Sequence, residues 1–232
     1  MRTKVFFLAL MVFPFLTTKA QIDLSKKIPG IQYESAYTFS GSVEMEFDFY
    51  DRKGKHEMMI PYFSYFNSDF THTCIKHVRG RTVYQTIFDM PNNNCLILLG
   101  EENNLTGSAA VMKDNEGRIL KELKLIHSGE TRQILDYQCT RYTFEAEEFT
   151  GEMWITDAID LPNDVGVFKA SKTAKYYQTL SEKGFVMEIT SITPKGRKTV
   201  MKTTGTSPST TYAVQIPEPF GRSLNKIDYF AY

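Results

Sequence analysis

The sequence predicts a mainly β protein: a curled antiparallel sheet or half-barrel of about ten to twelve strands, with one late helix covering its concave face. Three observations predict this fold. Apolar and polar residues alternate with a period of two along most of the chain. Turn-forming residues separate these runs at intervals of about 8–12 residues, which is typical of antiparallel sandwiches and barrels. One stretch late in the sequence has helical periodicity instead.

The clearest strand signal lies between residues 43 and 63. Apolar residues at 43, 45, 47 and 49 alternate with acidic residues at 44, 46 and 48, the pattern of a strand buried on one face. Asp51–Gly54 predicts a turn, and Met58–Phe63 predicts the returning strand. Pro61 has no N–H to donate to a ladder, so the returning strand is predicted to lie at an edge or to bulge there.

The same alternation predicts the later strands. They are Thr71–Val78, Thr82–Phe88, Cys95–Leu99, Ile119–His127, Thr131–Leu135, Tyr137–Phe144, Gly151–Thr156, Phe185–Ile192, Lys198–Thr204 and Thr210–Ile216. Two of these, Ile119–His127 and Thr131–Leu135, are predicted to form a hairpin across Ser128 and Gly129. The polar segment Glu101–Gly107 is predicted to be a loop.

Helical spacing is confined to the late part of the chain. Ala170, Ala174 and Tyr177 fall on one side of Phe168–Leu180 when it is read as a helix, and Gly184 is available to end it. The tail Gly221–Tyr232 is predicted to contain a short helix. In the predicted architecture, the helix Phe168–Leu180 covers the concave face of the sheet.

Residues 1–20 have the parts of a cleavable signal peptide. Arg2 and Lys4 precede an apolar run, Val5–Leu16, and small residues stand at the minus-three and minus-one positions before Gln21. The run is shorter than the roughly 20 apolar residues that span a membrane. No cysteine follows it that could carry a lipid. The sequence therefore predicts a periplasmic or secreted protein without a transmembrane helix.

Residues 21–232 are predicted to form a single β-rich domain. They contain no linker, repeat or low-complexity tract, and β proteins of this size commonly fold as one unit. Three of the 27 basic residues lie within residues 1–20, which leaves 24 against 27 acidic residues. This small net charge gives no argument for a nucleic-acid partner, for which basic clusters are expected.

Three cysteines remain after the signal peptide, and an exported chain is in a compartment that permits disulfides. Cys74 and Cys95 flank a predicted hairpin, so they are the candidate pair. A bridge closing a loop of that length stabilises by about 3 kcal/mol in the chain-entropy model. The alternative is three buried free thiols that pack as small apolar side chains.

The one match to a common catalytic motif is S-x-x-K at Ser223–Lys226, which lies in the tail without the accompanying K-T-G, so no enzyme activity and no cofactor is predicted. His72, Cys74 and His77 form the one cluster of metal-type donors. In a strand, positions 72 and 74 face one way and position 77 faces the other, and no second half of a zinc site follows. No metal site is predicted.

Aromatic and methionine residues crowd the first third of the mature chain. Large flexible side chains on the concave face of a curled sheet can line an adaptable apolar cavity, and they can equally fill an ordinary core. The candidate cavity-lining residues are Met45, Phe47, Phe49, Met58, Ile60 and Tyr62.

The segment from 131 to 157 resembles a family of uncharacterised exported proteins common in Bacteroidota. The residues that carry the resemblance are Thr131, Ile134, Tyr137, Cys139, Tyr142, Gly151, Glu152, Trp154, Thr156 and Asp157, with Tyr33, Gly41, Met45 and the Gly54-Lys55 turn upstream. One departure is Asp136, where the family has glycine. The family is similar in architecture to the LolA- and LolB-like lipoprotein carriers, whose half-open barrel is covered by helices. The resemblance implies structural roles for Tyr137, Cys139, Tyr142 and Trp154, and no catalytic residues.

Several function classes stay open. The leading hypothesis is a non-enzymatic periplasmic protein that binds an apolar or lipid-like ligand. The alternatives are a small outer-membrane β-barrel, a hydrolase of unrecognised type, and a structural subunit of an envelope complex with a protein partner.

Overall fold

The computed structural model describes residues 31–113, 124–146, 149–159, 184–222 and 227–228. These residues form fifteen strands: β1 (Ala36–Phe39), β2 (Gly41–Tyr50), β3 (His56–Phe66), β4 (His72–Arg79), β5 (Thr82–Asp89), β6 (Asn94–Glu101), β7 (Asn104–Lys113), β8 (Lys124–Ile134), β9 (Tyr137–Ala146), β10 (Phe149–Thr156), β11 (Phe185–Ile192), β12 (Lys198–Ser207), β13 (Tyr212–Gln215), β14 (Gly221–Arg222) and β15 (Ile227–Asp228). The predicted signal peptide and the predicted helix Phe168–Leu180 lie outside the described residues.

Thirteen strands form one sheet, and β1 and β13 form a separate two-stranded ribbon. The sheet consists of two meanders, β2 to β7 and β8 to β12, which join where β12 pairs antiparallel with β2. Neighbouring strands are antiparallel, except that β14 and β15 run parallel to β7. Within the described part of the chain, β7 and β8 do not pair, so the sheet is open there. The prediction of a mainly antiparallel β fold is confirmed.

The β2–β3 hairpin forms as the alternation predicts. Its turn is closed by Asp51, whose Oδ1 accepts hydrogen bonds from the backbone N–H of Lys55 at 2.9 Å and of Lys53 at 2.8 Å. These bonds lower the pKa of Asp51. Gly54 has a φ of 77°, a left-handed conformation that glycine adopts without a steric cost.

Pro61 ends the ladder between β3 and β4. The β3 residues from Tyr62 onward pair with β4, whereas His56–Pro61 pairs with β2 alone. Pro61 therefore stands at the point where β3 becomes an edge strand, as expected for a residue without an N–H donor. This edge leaves the end of β4, including Arg79, unpaired on the β3 side.

The two faces of the sheet carry different cores. One face, which we call the apolar face, carries Met45, Phe47, Phe144, Met153 and Met201, which belong to one cluster of buried residues from β2, β12, β10 and β9. The opposite face is covered over β4 to β7 by the β1–β13 ribbon, which packs on residues such as Cys74, Ile87 and Leu98. Alternation of side chains along each strand produces this division.

The segment 101–107, predicted as a loop, is a tight hairpin between β6 and β7. Glu101 lies opposite Asn104, and Gly100 lies opposite Leu105. The prediction was wrong because polar residues were taken as a sign of irregular structure, whereas here they are exposed strand residues.

The predicted hairpin across Ser128 and Gly129 is also wrong. Both residues lie inside β8, where the register with β9 shifts between His127 and Thr131. Gly129 has a φ of 76°, so it supports a bulge and not a turn. The turn that follows β8 is formed by Leu135 and Asp136, between the opposed residues Ile134 and Tyr137.

Leu135 provides a test of this turn. Its φ is 51°, and a non-glycine residue in such a conformation costs about 1–3 kcal/mol. We expect Leu135→Gly to raise the free energy of unfolding by about 1 kcal/mol, because glycine relieves the strain and the side chain is 46% exposed. Leu135→Ala removes the same side chain but keeps the strained backbone, so it is the control. Equal stability of the two variants in urea denaturation would contradict this account.

The C-terminal predictions hold in part. Lys198–Thr204 is extended to Ser207, and Phe185–Ile192 has the predicted bounds. The strand predicted at Thr210–Ile216 is the shorter β13, which leaves the main sheet and pairs with β1. Gly221–Arg222 and Ile227–Asp228 are short strands on β7, and the rest of the predicted tail helix lies outside the described residues.

The predicted Cys74–Cys95 disulfide is wrong. Cys74, Cys95 and Cys139 are buried free thiols. Cys74 lies opposite Ile87, whereas Cys95 lies opposite Phe88, so the two thiols project from opposite faces of the sheet. They are also two strands apart, about 10 Å, and a disulfide requires Cα atoms closer than about 7 Å. Burial raises the pKa of Cys95 to about 12 and raises that of Cys74 as well.

Candidate ligand-binding face

The six predicted cavity-lining residues lie together on the apolar face of the β2–β3 hairpin. They form three directly opposed pairs: Met45 with Tyr62, Phe47 with Ile60, and Phe49 with Met58. Directly opposed residues of an antiparallel pair project to the same side of the sheet. Alternation in the sequence placed the three β2 residues on one face, and the register adds the three β3 residues.

Exposure changes along these three pairs. Met45, Phe47 and Tyr62 are buried, with at most 6% of their surface exposed. Phe49, Met58 and Ile60 are partly exposed. The partly exposed residues lie nearest the Asp51–Lys55 turn, so the apolar face is open to solvent at this end of the sheet. We call this region the open end.

An aromatic row that was not predicted from the sequence continues the face across β4 and β5. The Tyr62 ring contacts Phe47 at a centroid distance of 4.9 Å and His77 at 4.9 Å. His77 stacks on Tyr84 at 4.5 Å, with the ring planes 2° apart. The sequence contained one signal for this row. His77 is an odd number of residues from both His72 and Cys74, and this spacing places it on the other face of β4.

His77 is a neutral side chain inside this row. Burial, together with the smaller effect of the positive charge of Arg79, lowers its pKa to about 4. A neutral imidazole offers one N–H donor and one acceptor nitrogen. Within the described residues, no hydrogen bond engages either ring nitrogen of His77. The row therefore contains one neutral polar ring among aromatic side chains.

Methionines extend the apolar face beyond the hairpin. Met201 of β12 lies opposite Phe47, and Met153 of β10 lies opposite Ile189 of β11. Met153, Met187 and Met201 are at most 1% exposed. Unbranched thioether side chains adapt to irregular shapes, and at this burial they fill the core.

The residues that carry the family resemblance are divided between the two faces. Trp154 lies opposite Arg141 on the far side of the sheet from the apolar face, while Tyr142 lies opposite Met153 on the apolar face. The guanidinium of Arg132 stacks over the Trp154 ring at 4.0 Å from its centroid and pairs with Glu188 at 2.8 Å. Tyr137 follows the Leu135 turn.

Cys139 lies opposite Arg132 and donates a weak hydrogen bond to the Tyr137 carbonyl at 3.5 Å. The contacts of these motif residues are packing and ion-pair contacts. They stabilise the meander from β8 to β11 and do not form a nucleophile–base pair. Trp154 is 7% exposed, and its Nε1 has no hydrogen-bond partner.

A cleft of about 340 Å³ lies between the tips of the β4–β5 and β6–β7 hairpins. It is lined by residues such as Arg81, Glu101 and Asn103, and by none of the six predicted cavity-lining residues. Among the residues that the structure describes, no three His, Cys, Asp or Glu side chains are arranged to hold a metal. The described segments also contain no helix long and apolar enough to cross a membrane.

Comparisons with known proteins identify no family. No family model matches the chain, and no curated protein matches it. Among solved structures, PNGF-II in one crystal form superposes with a TM-score of 0.38 and 14% identity over 82% of this chain and 32% of that chain. A second crystal form gives a TM-score of 0.38 and 14% identity over 81% and 31%. The chain thus spans about a third of the length of PNGF-II, and at this similarity no function transfers.

Proposed function

We propose that this chain is an exported, non-enzymatic protein that holds an apolar, lipid-like ligand against the open end of its apolar face. The observation that carries the proposal is the exposure of Phe49, Met58 and Ile60 at one end of an otherwise buried row. The signal peptide predicted at residues 1–20 supports release into the periplasm or the medium.

A ligand would bury the surface that these side chains leave in water. Each Å² of apolar surface removed from water contributes about 25 cal/mol, so covering three large side chains is a substantial driving force. Met45, Phe47 and Tyr62 continue the same apolar face beyond the open end, and this row is the proposed path of an acyl chain. In the proposed architecture, the sheet curls around this path and the helix predicted at Phe168–Leu180 covers it.

The test compares two neighbouring residues of β3 that face opposite ways. Ile60 lies on the apolar face opposite Phe47, and Met59 lies on the other face opposite Asp48 and is 47% exposed. Dodecanoate binding to the purified mature chain is measured by calorimetry for the wild type, Ile60→Asn and Met59→Asn. We expect Ile60→Asn to weaken binding at least about tenfold and Met59→Asn to leave it unchanged.

Two results would overturn the proposal. The first is a wild-type chain that binds neither dodecanoate nor methyl dodecanoate. The second is an equal loss of binding in both variants, which would place the ligand elsewhere or reflect a general loss of structure. Near-ultraviolet circular dichroism of each variant separates these two causes, because it reports the packing of the aromatic row.

A further inference from the structure

Resting on the proposed function, we propose that the ligand carries a carboxylate head group, which Arg79 and His77 bind at the open end of the apolar face. The occupant is therefore a free fatty acid, and an esterified chain or an uncharged hydrocarbon is the alternative that the experiment tests.

The strand positions bring the two side chains together. Arg79 and His77 are two residues apart on β4, so both project from the apolar face. His77 lies opposite Tyr62 of β3, and the antiparallel register places Arg79 at the level of Ile60. Because the ladder between β3 and β4 stops at Pro61, Arg79 stands beside an unpaired strand edge and not within a closed sheet.

Among the described neighbours of Arg79 on this face, no acidic side chain balances its positive charge. The flanking residues are Ile60 and Tyr62 on β3 and Thr82 and Tyr84 on β5, none of which is an acid. Arg79 is exposed, and it makes no ion pair within the described part of the chain. Among the described residues of this face, Glu101 of β6 is the acidic residue nearest in strand order, two strands away from β4.

The chemistry of these groups selects an anion. A guanidinium and a neutral imidazole N–H are both donors, and a carboxylate accepts from both. Hydrogen bonds from a charged donor to a carboxylate are stronger than those between neutral groups. An ester carbonyl would accept from the same donors, but it would leave the charge of Arg79 without a counterion. The acyl chain then extends from Arg79 past Ile60 toward Phe47.

The experiment varies the ligand head and the protein charge independently. Calorimetry measures dodecanoate and methyl dodecanoate, which share one chain, on the wild type, Arg79→Gln, His77→Phe and Arg81→Gln. We expect Arg79→Gln to weaken dodecanoate binding at least about tenfold and to change methyl dodecanoate binding less than about twofold. His77→Phe keeps the aromatic stack with Tyr84 and is expected to weaken dodecanoate binding severalfold. Arg81→Gln removes an equal charge two residues away and is expected to change neither ligand.

Three outcomes separate this inference from the proposed function. Tighter binding of dodecanoate than of its ester, with a loss confined to Arg79→Gln and His77→Phe, supports the inference. Equal binding of acid and ester by the wild type, or an equal loss of both in Arg79→Gln, overturns the inference and leaves the apolar site standing. Binding of neither ligand overturns both.

Discussion

Replacing Gly151 by alanine is expected to destabilise the protein by more than about 3 kcal/mol, which is at the upper end of the cost of overpacking. Gly151 lies in β10 between β9 and β11. A Cβ at this position would lie 1.9 Å from the carbonyl oxygen of Thr190 and 2.7 Å from the ring of Phe144. The first contact is with the backbone of the adjacent strand, so it cannot be relieved by a change of rotamer.

The control for this prediction is another strand glycine with room for a methyl group. A Cβ on Gly205 of β12 would lie 3.5 Å from the Glu44 side chain, an ordinary van der Waals contact. Gly205→Ala is therefore expected to change the free energy of unfolding by no more than about 1 kcal/mol, in either direction. The two variants are compared by urea denaturation with a shared slope. A loss in Gly151→Ala that is no larger than that in Gly205→Ala would show that β10 and β11 separate easily.

The Gly151 position also shows what sequence patterns can and cannot predict. Alternation predicted Tyr137–Phe144 and Gly151–Thr156 as strands, which are β9 and β10, and Gly151 pairs with Phe144. The requirement for glycine comes from the approach of β11, a strand that is separated in sequence by more than 30 residues. Local patterns contain no information on which distant strand will lie alongside.

The same limit explains why the predicted disulfide was wrong and why the β1–β13 ribbon was not predicted. Cys74 lies in β4 and Cys95 lies in β6, and their proximity in the sequence suggested a bridge. Side chains alternate along each strand, however, and this alternation places the two thiols on opposite faces of the sheet. Strand β13 was recognised from its apolar residues. Its partner β1 lies far upstream, so the separate ribbon could not be predicted from either segment alone.

The candidate site was predictable to the extent that it depends on one hairpin. The six predicted residues are within 18 positions of one another in the sequence, and a β-hairpin converts that proximity into three opposed pairs. His77 and Arg79 belong to the next strand, and their contribution depends on the register of β4 against β3. That register depends on two features. The sequence indicated the first, the end of the ladder at Pro61, but it did not indicate the second, the packing of the aromatic row.

Among the polar residues, we expect substitution of Asp89 to have the largest effect on stability, because Asp89 connects the β1–β13 ribbon to the sheet. Asp89 is fully buried, and its carboxylate accepts hydrogen bonds from the Tyr37 hydroxyl at 2.7 Å and from the Asn92 side chain at 2.9 Å. The Asn92 backbone N–H donates at 3.1 Å, and His72 Nε2 lies 3.4 Å away. Tyr37 belongs to β1, so the carboxylate joins the ribbon to β5.

The state of Tyr37 follows from this arrangement. Burial raises the pKa of the Tyr37 phenol, and the hydrogen bond to Asp89 raises it further, so the hydroxyl remains a donor at all ordinary pH values. The same hydroxyl accepts a hydrogen bond from the backbone N–H of Glu34 at 3.0 Å. A single phenol therefore connects the segment before β1 to the buried carboxylate.

Asp89→Ala is expected to lower the free energy of unfolding by about 3–5 kcal/mol, because several buried donors lose their acceptor together. Tyr37→Phe keeps the ring in the ribbon core and removes the phenol, with an expected loss of about 1.5–3 kcal/mol. The double variant Tyr37→Phe with Asp89→Ala, compared with the two single variants, measures their coupling. A coupling energy between about 0.5 and 3 kcal/mol is expected for groups in direct contact.

Hydrogen exchange locates the loss within the molecule. If the carboxylate holds the ribbon against the sheet, the amides of β1 and β13 lose protection from exchange in Tyr37→Phe, while those of the β9–β10 hairpin keep it. Uniform loss of protection across both meanders would show that Asp89 supports the sheet itself. Additive single-variant effects, with no coupling energy, would show that the contact between Tyr37 and Asp89 contributes nothing to stability.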